Sequence, residues 1–238
     1  MPAHHSDPTS SVIELNDVVF CWPGASTPTL DIAHLQIARG EHLFVKGPSG
    51  CGKSTLLSLL TGINTATQGV VSLLGSDLSR LSASQRDRFR ADHIGYIFQQ
   101  FNLLPYLSVL DNVTLPCHFS ALRRQQVNGP LVHQAQSLLE RLHLPSALLN
   151  KPVTELSIGQ QQRVAAARAL IGEPQLIIAD EPTSALDHDN REAFIALLRE
   201  EAERVGSTLV FVSHDPTLEK LFERSVHLPT LNRAGGWQ

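Results

Sequence analysis

The glycine-rich segment at residues 47–54 constrains the fold of this chain more than any other feature. It reads Gly-Pro-Ser-Gly-Cys-Gly-Lys-Ser and fills the pattern G-x-x-x-x-G-K-[ST]. The apolar residues 43–46 before it predict a buried strand, and residues 55–60 after it predict a helix that ends at Gly62. A strand, a tight glycine turn and a helix N-terminus direct successive backbone N–H groups at one anion. The segment therefore predicts a phosphate-binding loop in an α/β fold.

The side chains of this loop suit a nucleotide with magnesium. Lys53 is expected to reach the β- and γ-phosphates, and the Ser54 hydroxyl is expected to bind Mg²⁺. The other residues of this segment that are predicted to contact ATP are Gly47, Pro48, Ser49, Gly50, Cys51, Gly52 and Thr55. The alternative is a glycine-rich turn without a ligand, a pattern expected by chance in about one chain in a hundred. The strand and the helix around the loop disfavour that alternative.

Cys51 lies in this loop beside Lys53, and the sequence leaves two states of its thiol open. A neighbouring ammonium group and a helix N-terminus lower the pKa of a thiol and favour a reactive thiolate. A thiol buried among apolar groups is inert instead. Reaction with N-ethylmaleimide distinguishes the two.

The composition is that of an ordinary globular protein. At 238 residues the chain fits one large domain or two small ones, and 42% hydrophobic residues are enough for a core. The net charge of −4 predicts no general attraction to nucleic acid or to anionic membranes. The three cysteines are scattered and odd in number, which predicts reduced thiols, as is typical of the cytosol.

The organisation of the chain follows from its hydrophobic patterns. Residues 1–10 contain no apolar segment like that of a signal peptide and are expected to form a disordered lead before a single domain, 11–238. No apolar run approaches membrane-spanning length, so any membrane part is expected to come from another chain. Residues 11–99 and 170–238 carry strand and helix patterns and predict an α/β core, while residues 100–169 predict an inserted helical subdomain.

A second candidate motif follows the apolar run 176–179. Asp180 and Glu181 come directly after it. Asp180 is expected to hold Mg²⁺, directly or through water. Glu181 is expected to polarise a water molecule for attack on the γ-phosphate. Adjacent acidic residues are common on protein surfaces, but the buried strand before this pair favours the functional interpretation.

The segment 156–170 carries a family resemblance. It reads Leu-Ser-Ile-Gly-Gln-Gln-Gln-Arg-Val-Ala-Ala-Ala-Arg-Ala-Leu and resembles the signature motif and following helix of the ATP-binding subunits of ABC transporters. The resemblance extends over residues 12–231. It implies a P-loop NTPase (RecA-like) core of the ABC ATPase type, with an N-terminal antiparallel β subdomain and the inserted helical subdomain.

The signature residues are expected to act on a second copy of the chain. The resemblance implies that Ser157, Gly159 and Gln160 contact ATP held by the partner's phosphate-binding loop. A serine and a free amide at a helix N-terminus are suited to an anion. Ile158 stands where a glycine is commonest in the family, which raises the question of backbone freedom and turnover at this point.

Three further family positions match individually. Gln99 resembles the glutamine that contacts Mg²⁺ and water and senses the γ-phosphate, with Gln100 as the alternative register. His214 resembles the switch histidine that follows a core strand and assists hydrolysis. Residues 184–187 resemble the loop that crosses the interface between two copies. Together with Lys53 and Glu181, Gln99 and His214 complete the predicted catalytic set.

The adenine contact is assigned by the same resemblance. Trp22 stands where the family has an aromatic residue that stacks on the base, and an indole is well suited to stacking. Phe20 is the alternative stacking residue, in which case Trp22 belongs to the core.

The resemblance also implies a function and partners. Residues 98–105 and 112–116 resemble the branch that serves lipoprotein release, macrolide export and cell division. The expected protein is an ATPase that forms a homodimer around two MgATP and drives a separate integral-membrane permease, FtsX-like or MacB-like, from the cytoplasmic side of the inner membrane. The permease is expected to dock near residues 102–113. No nucleic acid partner is expected.

Three other functions remain open from the sequence. The first is the ATPase of a solute importer, such as one for amino acids. The second is a soluble ABC ATPase that acts on nucleic acid or ribosomes, which the single cassette and the absence of a basic patch disfavour. The third is a nucleotide-binding module without catalysis, which the presence of both Glu181 and His214 disfavours.

Overall fold

The computed structural model describes residues 11–184 and 188–235. The strands are β1 (Ser11–Phe20), β2 (Leu30–Ala38), β3 (His42–Lys46), β4 (Gln68–Leu73), β5 (Ser76–Asp77), β6 (Ile94–Ile97), β7 (Leu176–Asp180), β8 (Thr208–Ser213) and β9 (Arg224–His227). The helices are α1 (Lys53–Leu60), α2 (Ala83–His93), α3 (Val109–Thr114), α4 (Pro116–Phe119), α5 (Ala121–Gln126), α6 (Leu131–Arg141), α7 (Ile158–Leu170), α8 (His188–Arg204) and α9 (Leu228–Leu231). The expected lead at residues 1–10 lies outside the described residues.

The first sheet is antiparallel and is built from the N-terminal strands. Within the described residues its order is β2-β1-β4-β5, and β1 pairs with both β2 and β4. Buried and exposed side chains mostly alternate along β2, as in a sheet that covers a core with one face. The N-terminal antiparallel subdomain predicted from the sequence is therefore confirmed.

The second sheet is parallel and positions the predicted site. Within the described residues its order is β6-β7-β8-β3-β9. All residues of β8 are buried, and in β3 and β7 only the last residue is partly exposed, as expected for parallel strands covered on both faces. Lys46 pairs with Ser213, and Asp180 pairs with Val212. The segments that follow β3, β7 and β8 therefore leave the sheet at the same edge, where open α/β sheets bind ligands.

The helices α3 to α7 lie between β6 and β7 in the chain and share one apolar cluster. Apolar residues at helical spacing within residues 131–142 predict one inward face. Four of them are buried and the first is partly buried: Ala135, Leu138, Leu139 and Leu142, with Leu131. α7 also packs directly on β6. A Cβ atom at Gly95 would lie 2.2 Å from the carbonyl oxygen of Ala169, so this close approach of helix and strand requires glycine. The subdomain limits 100 and 169 stay a prediction.

Two elements differ from the sequence pattern. The sequence pattern of residues 93–98 predicts a strand. The strand covers only Ile94–Ile97, because His93 is the last residue of α2. The edge strand β9 was not predicted. Its residues Arg224, Ser225 and His227 are exposed, so it shows no hydrophobic pattern and is held by its backbone pairing with β3.

His42 gives the folded protein a pH dependence at the start of β3, where it is 6% exposed. Burial, and then the nearby Arg199 guanidinium, lower the pKa of His42 against the opposing effect of the Glu203 and Glu223 carboxylates. Below the ordinary histidine pKa of 6.5 the unfolded chain therefore binds more protons than the folded protein. The free energy of unfolding is expected to fall as the pH decreases from 6.5, by up to about 1.4 kcal/mol per pH unit for this group.

Urea unfolding at about pH 7.5 and about pH 5.5 measures this effect. The midpoint should decrease more in the natural protein than in a His42→Leu variant, whose side chain cannot bind a proton. An equal decrease of the urea midpoint in both proteins would show that His42 binds no additional proton on unfolding.

Candidate nucleotide-binding site

The phosphate-binding loop connects β3 to α1. Gly50 and Gly52 have φ angles of 82° and 96°, in the left-handed region that favours glycine. Gly52 is the N-cap of α1 and offers no side chain to bond the first amide groups of the helix. These amides are left for an external acceptor, and the helix dipole adds a positive field at the same point. The loop therefore has the backbone of an anion-binding site.

The ammonium group of Lys53 lies at the base of this loop. Its Nζ donates hydrogen bonds to the carbonyl oxygens of Gly47, at 2.8 Å, and Pro48, at 2.9 Å. The same Nζ lies 3.8 Å from the Oε1 atom of Glu181. The side chain is buried, so its charge acts at short range with little screening by water. A phosphate entering the loop meets a cation that is already in position.

Glu181 and His214 contact each other where β7 and β8 end. Oε2 of Glu181 and Nδ1 of His214 lie 2.5 Å apart. Glu181 has a φ angle of 44°, and its N–H donates to the carbonyl oxygen of Val212 at 2.9 Å. Left-handed backbone is costly for a residue with a side chain and persists where its surroundings impose it. The fold thus directs this carboxylate at the predicted histidine.

Asp180 shares the site with Glu181 and is poorly solvated. Burial, and then the charge of Glu181, raise the pKa of Asp180, which Tyr96 and Lys53 oppose. The Tyr96 hydroxyl donates to Oδ2 of Asp180 at 3.5 Å, and burial raises the pKa of this phenol above its usual value. A divalent cation held by Asp180 would supply positive charge that opposes this repulsion.

Oxygen ligands for Mg²⁺ face the same cleft. Ser54, Gln99 and Asp180 line it with a hydroxyl, an amide and a carboxylate. Magnesium prefers a few such hard oxygen ligands and keeps several waters. The donor set therefore fits the ion that the sequence predicts.

The cleft at this edge of the sheet has a volume of about 790 Å³, within the range of nucleotide-sized ligands. Its lining residues are Trp22, Thr29, Pro48, Ser49, Gly50, Gly52, Lys53, Ser54, Thr55, Gln99, Asp180, Glu181 and His214. Gln99 lines the cleft, whereas Gln100 is not among these residues, which favours the first of the two registers. Thr29, just before β2, was missed by the sequence analysis because it belongs to no motif.

Trp22 lines the cleft. It is 45% exposed, whereas Phe20 is buried in the first sheet. The two rings meet edge to face, with centroids 5.0 Å apart. Phe20 therefore packs against the indole, and Trp22 is the ring that keeps exposed surface for a base. This favours Trp22 over Phe20 as the stacking residue.

The side chain of Cys51 points away from the cleft. It is 1% exposed, and a Cβ atom at Gly47 would lie 2.5 Å from its Sγ, so the sulfur fills the space beneath the loop. Burial raises the pKa of Cys51, against the opposing charge of Lys53. The structure therefore favours the inert thiol over the reactive thiolate. Only the backbone of Cys51 is placed to contact a phosphate.

N-ethylmaleimide at neutral pH is expected to leave Cys51 unmodified in the folded protein, because the thiol is buried and protonated. Cys21, which is partly exposed, should be labelled first, and ATPase activity should fall less than about twofold once it is labelled. Peptide mass spectrometry gives both labelling rates. Labelling of Cys51 as fast as that of Cys21 would contradict the packing described for the loop.

The signature residues begin α7 at a distance from this cleft. Ser157 is the N-cap, and its Oγ accepts from the N–H of Gln160 at 3.3 Å while Oε1 of Gln160 accepts from the N–H of Ser157 at 2.9 Å. Ile158 is exposed and is not among the residues with positive φ, so the usual glycine is not needed here for backbone reasons. Ser157, Gly159 and Gln160 line a separate cavity of about 400 Å³.

The loop expected to cross the interface between two copies is described only at its first residue. Of the expected interface loop, Ser184 is exposed, and residues 185–187 lie outside the described residues.

Among residues 11–184 and 188–235, no helix has the length and apolar character needed to cross a membrane.

Comparison with known proteins identifies the family. The family model described as "ABC transporter" matches residues 30–184. The chain belongs to the ABC transporter family. Members of this family related to the chain include the lipoprotein-releasing system ATP-binding protein LolD of Shewanella denitrificans, 40% identical over 210 residues, which are 88% of each chain. The macrolide export ATP-binding/permease protein MacB of Shigella flexneri is 38% identical over 91% of this chain and 33% of its own length.

Solved structures of the family agree with this assignment. One of them is the ATP-binding cassette MJ0796, in a dimeric post-hydrolysis state bound to ADP and Pi. It matches this chain with a TM-score of 0.77 and a sequence identity of 34%. The match covers 90% of this chain and 93% of the MJ0796 chain. The chain is an ATP-hydrolysing enzyme of the ABC type. The predicted family, its LolD-like and MacB-like branch and the fold class are confirmed.

Proposed function

We propose that this protein is the motor subunit of a membrane transporter and that two copies close around two MgATP to drive a separate permease. One observation carries the proposal. The phosphate-binding loop and the signature residues of one chain lie in different cavities, although both have the chemistry to bind phosphate. Each cavity is half of a site, and a second copy supplies the other half. The dimeric structures of MJ0796, with TM-scores of 0.77 and 0.78, support this arrangement.

Binding begins at the loop after β3. The amides of the first turn of α1 and the Lys53 ammonium bind the phosphates, and Trp22 supports the base. Mg²⁺, held by Ser54, Gln99 and Asp180, supplies positive charge that neutralises the phosphates when it is bound. Closure of the second copy excludes water, which strengthens these electrostatic contacts.

Hydrolysis depends on the pair at the ends of β7 and β8. Glu181 orients and polarises the attacking water, and a charge-assisted contact with His214 at 2.5 Å fixes the direction of its carboxylate. In the structure Oε1 of Glu181 also faces the Lys53 ammonium, 3.8 Å away. A γ-phosphate competes with Glu181 for Lys53, so nucleotide binding frees the carboxylate to act on water.

The signature completes the site from the other copy. Ser157 has its hydroxyl at the N-terminus of the 13-residue helix α7, and the amide of Gly159 belongs to the first turn. Both present hydrogen-bond donors where the helix dipole is positive. These groups contact the γ-phosphate in the partner's cleft only when the two copies are closed. Loss of that phosphate on hydrolysis removes the contact and reopens the dimer.

The expected docking site for the permease is an apolar loop held rigid from beneath. Tyr106 is 77% exposed, and Leu103 and Leu104 are partly buried beside it. The buried Asn112 holds the loop through its side chain: Oδ1 accepts from the N–H of Leu104 at 2.8 Å, and Nδ2 donates to the carbonyl oxygens of Leu104 and Ser108 at 3.1 and 3.0 Å. A rigid apolar surface of this kind suits a helix of a partner protein.

The class of permease follows from the relatives. LolD belongs to a lipoprotein-releasing system, and MacB is named as a macrolide export ATP-binding/permease protein. We infer an export or mechanotransmission role on the cytoplasmic face of the cell membrane, with an FtsX-like or MacB-like permease. These relatives disfavour the solute importer, and the net charge of −4 disfavours the nucleic-acid partner.

Replacing Tyr106 by aspartate is expected to weaken the permease complex at least about tenfold, because a central aromatic anchor is lost and a charge enters the interface. The measurement is co-purification from membranes of the natural host with mass spectrometry of the captured permease. Basal ATPase activity should stay within about twofold, since Tyr106 lies outside the cleft.

Phe119 provides a matched control for this experiment. It is 68% exposed but lies on α4, outside residues 102–113, so Phe119→Asp should capture the permease as the natural protein does. Full capture by Tyr106→Asp would exclude the proposed docking site. Capture of an importer permease with a solute-binding protein would exclude the export role.

A further inference from the structure

Two consecutive residues with unusual backbone follow Gln99. Phe101 and Asn102 have φ angles of 58° and 49°, in the left-handed region that residues with side chains rarely adopt. Phe101 is buried against the helical subdomain. Their conformation turns the chain from the end of β6, where Gln99 faces the cleft, towards the loop that carries Tyr106. Phe101 disfavours this backbone, whereas asparagine tolerates it better than most residues. Two backbone bonds within the segment support the turn: the N–H of Phe101 donates to Phe98 at 2.9 Å, and the N–H of Asn102 donates to Gln100 at 2.6 Å.

An arginine bonds both residues of the turn from outside the segment. Arg168, on α7, donates from Nη2 to the carbonyl oxygen of Phe101 at 2.5 Å and from Nη1 to that of Asn102 at 2.6 Å. In the part of the chain that the structure describes, no carboxylate lies within 4 Å of this guanidinium. Burial lowers the pKa of Arg168, so the charge is kept here against a desolvation cost. The fork of the guanidinium fits two adjacent carbonyl groups, which a lysine cannot match.

The last turn of α7, which carries Arg168, is held in place on β6. This turn lies against Gly95 of β6, where only glycine permits the approach to Ala169. The buried Arg123 donates to the carbonyl oxygens of Ala169 and Ile171, both at 2.6 Å, and holds the same end. The opposite end carries the exposed signature residues, about 16 Å away along the helix axis.

We propose that Arg168 is a positioning residue that holds Phe101 and Asn102 in the left-handed turn and joins the segment after Gln99 to the signature helix. Through it, the fixed last turn of α7 sets the path of the segment between Gln99 and Tyr106. The link belongs to one chain and acts on that chain's own nucleotide cleft and docking loop. The kinetic part of the proposal rests on the function proposed above; the structural part does not.

The test removes the guanidinium and then restores the turn by other means. Arg168→Met keeps the length of the side chain but has no donor. Asn102→Gly in the same protein restores part of the turn, because glycine adopts left-handed backbone readily. Asp17→Gly is the matched control, since Asp17 also has left-handed backbone, with φ of 48°, but lies in β1 of the first sheet.

Two quantities are measured on the natural protein, on Arg168→Met, and on Arg168→Met combined with either Asn102→Gly or Asp17→Gly. Amide hydrogen exchange of peptides covering residues 99–108 is expected to become at least about tenfold faster in Arg168→Met, with β8 unchanged. The kcat of ATP hydrolysis is expected to fall about tenfold, with KM for ATP within about twofold, because the groups that touch ATP are retained. Asn102→Gly should recover a large part of both changes, and Asp17→Gly should recover neither.

The outcomes separate a positioning role from a general contribution to stability. Unchanged exchange at residues 99–108 overturns the proposal, and so does equal rescue by Asp17→Gly and Asn102→Gly. If Arg168→Met fails to fold, Arg168→Lys is used with the same two glycine variants and the same criteria. If the natural protein does not hydrolyse ATP but the exchange data follow the expected pattern, the role of Arg168 is supported and the proposed function is contradicted. The proposal for Arg168 and the proposed function can therefore fail separately.

Discussion

Replacing Lys53 by alanine is expected to lower steady-state ATP hydrolysis at least about a hundredfold, the scale of losing one buried electrostatic stabiliser of the transition state. The ammonium is already held at the base of the loop by the carbonyl oxygens of Gly47 and Pro48, so binding requires little rearrangement of it. Phosphate release measured under saturating ATP tests this. The loss should appear in kcat, because negative charge develops on the leaving β-phosphate oxygen in the transition state, within reach of the ammonium.

Lys46 is the matched control for this substitution. It is the last residue of β3, pairs with Glu219 at 2.5 Å and does not line the nucleotide cleft. Lys46→Ala should therefore change hydrolysis by less than about threefold. Near-normal turnover of a pure Lys53→Ala protein would contradict the assignment of the phosphate-binding loop.

The Glu181→Gln variant is expected to bind ATP and to hydrolyse it at least about a hundredfold more slowly. The amide keeps the size of the side chain, but it loses the charge that polarises water and the charge-assisted contact with His214. It also removes a negative charge from a site built for phosphates. ATP affinity should therefore be kept or increased, which a filter-binding assay with labelled ATP measures.

Glu173 allows a control with the same backbone. Its φ angle is 50°, close to the 44° of Glu181, but it lies outside the nucleotide cleft. Glu173→Gln should retain hydrolysis within about twofold. If both variants lost activity equally, the effect of Glu181→Gln would belong to the backbone rather than to the carboxylate.

The sequence predicted the parts of the site that local backbone chemistry dictates. A run of glycines before Lys53 can form little else than the observed turn, because Gly50 and Gly52 require left-handed backbone. The continuous apolar run at residues 176–179 predicted the buried strand β7, and Asp180 and Glu181 follow it. That β7 and β8 are neighbours, and so end at one edge, came from the structure.

Other features were decided by tertiary contacts that no local pattern records. Thr29 enters the cleft because β2 packs beside the nucleotide site, and its sequence neighbours give no indication of this. Whether the Cys51 thiol is inert or reactive depends on the direction of its side chain, and the sulfur packs beneath Gly47. The register of Gln99 against Gln100 depended on where β6 ends. The left-handed turn at Phe101 and Asn102 depended on a distant arginine, Arg168.

The mass of Glu181→Gln in solution, measured by light scattering with size exclusion, tests the closure of two copies around ATP most directly. In the proposed closure each cleft gains contacts from Ser157 and Gly159 of the other copy, so ATP should bind the dimer more tightly than the monomer and shift the equilibrium by mass action. The protein should be a monomer of 26.1 kDa without nucleotide and a dimer with ATP. Ser157→Arg, added to the same protein, should abolish the dimer and leave ATP binding to the loop intact. A Glu181→Gln protein that binds ATP tightly and stays a monomer would contradict the shared site.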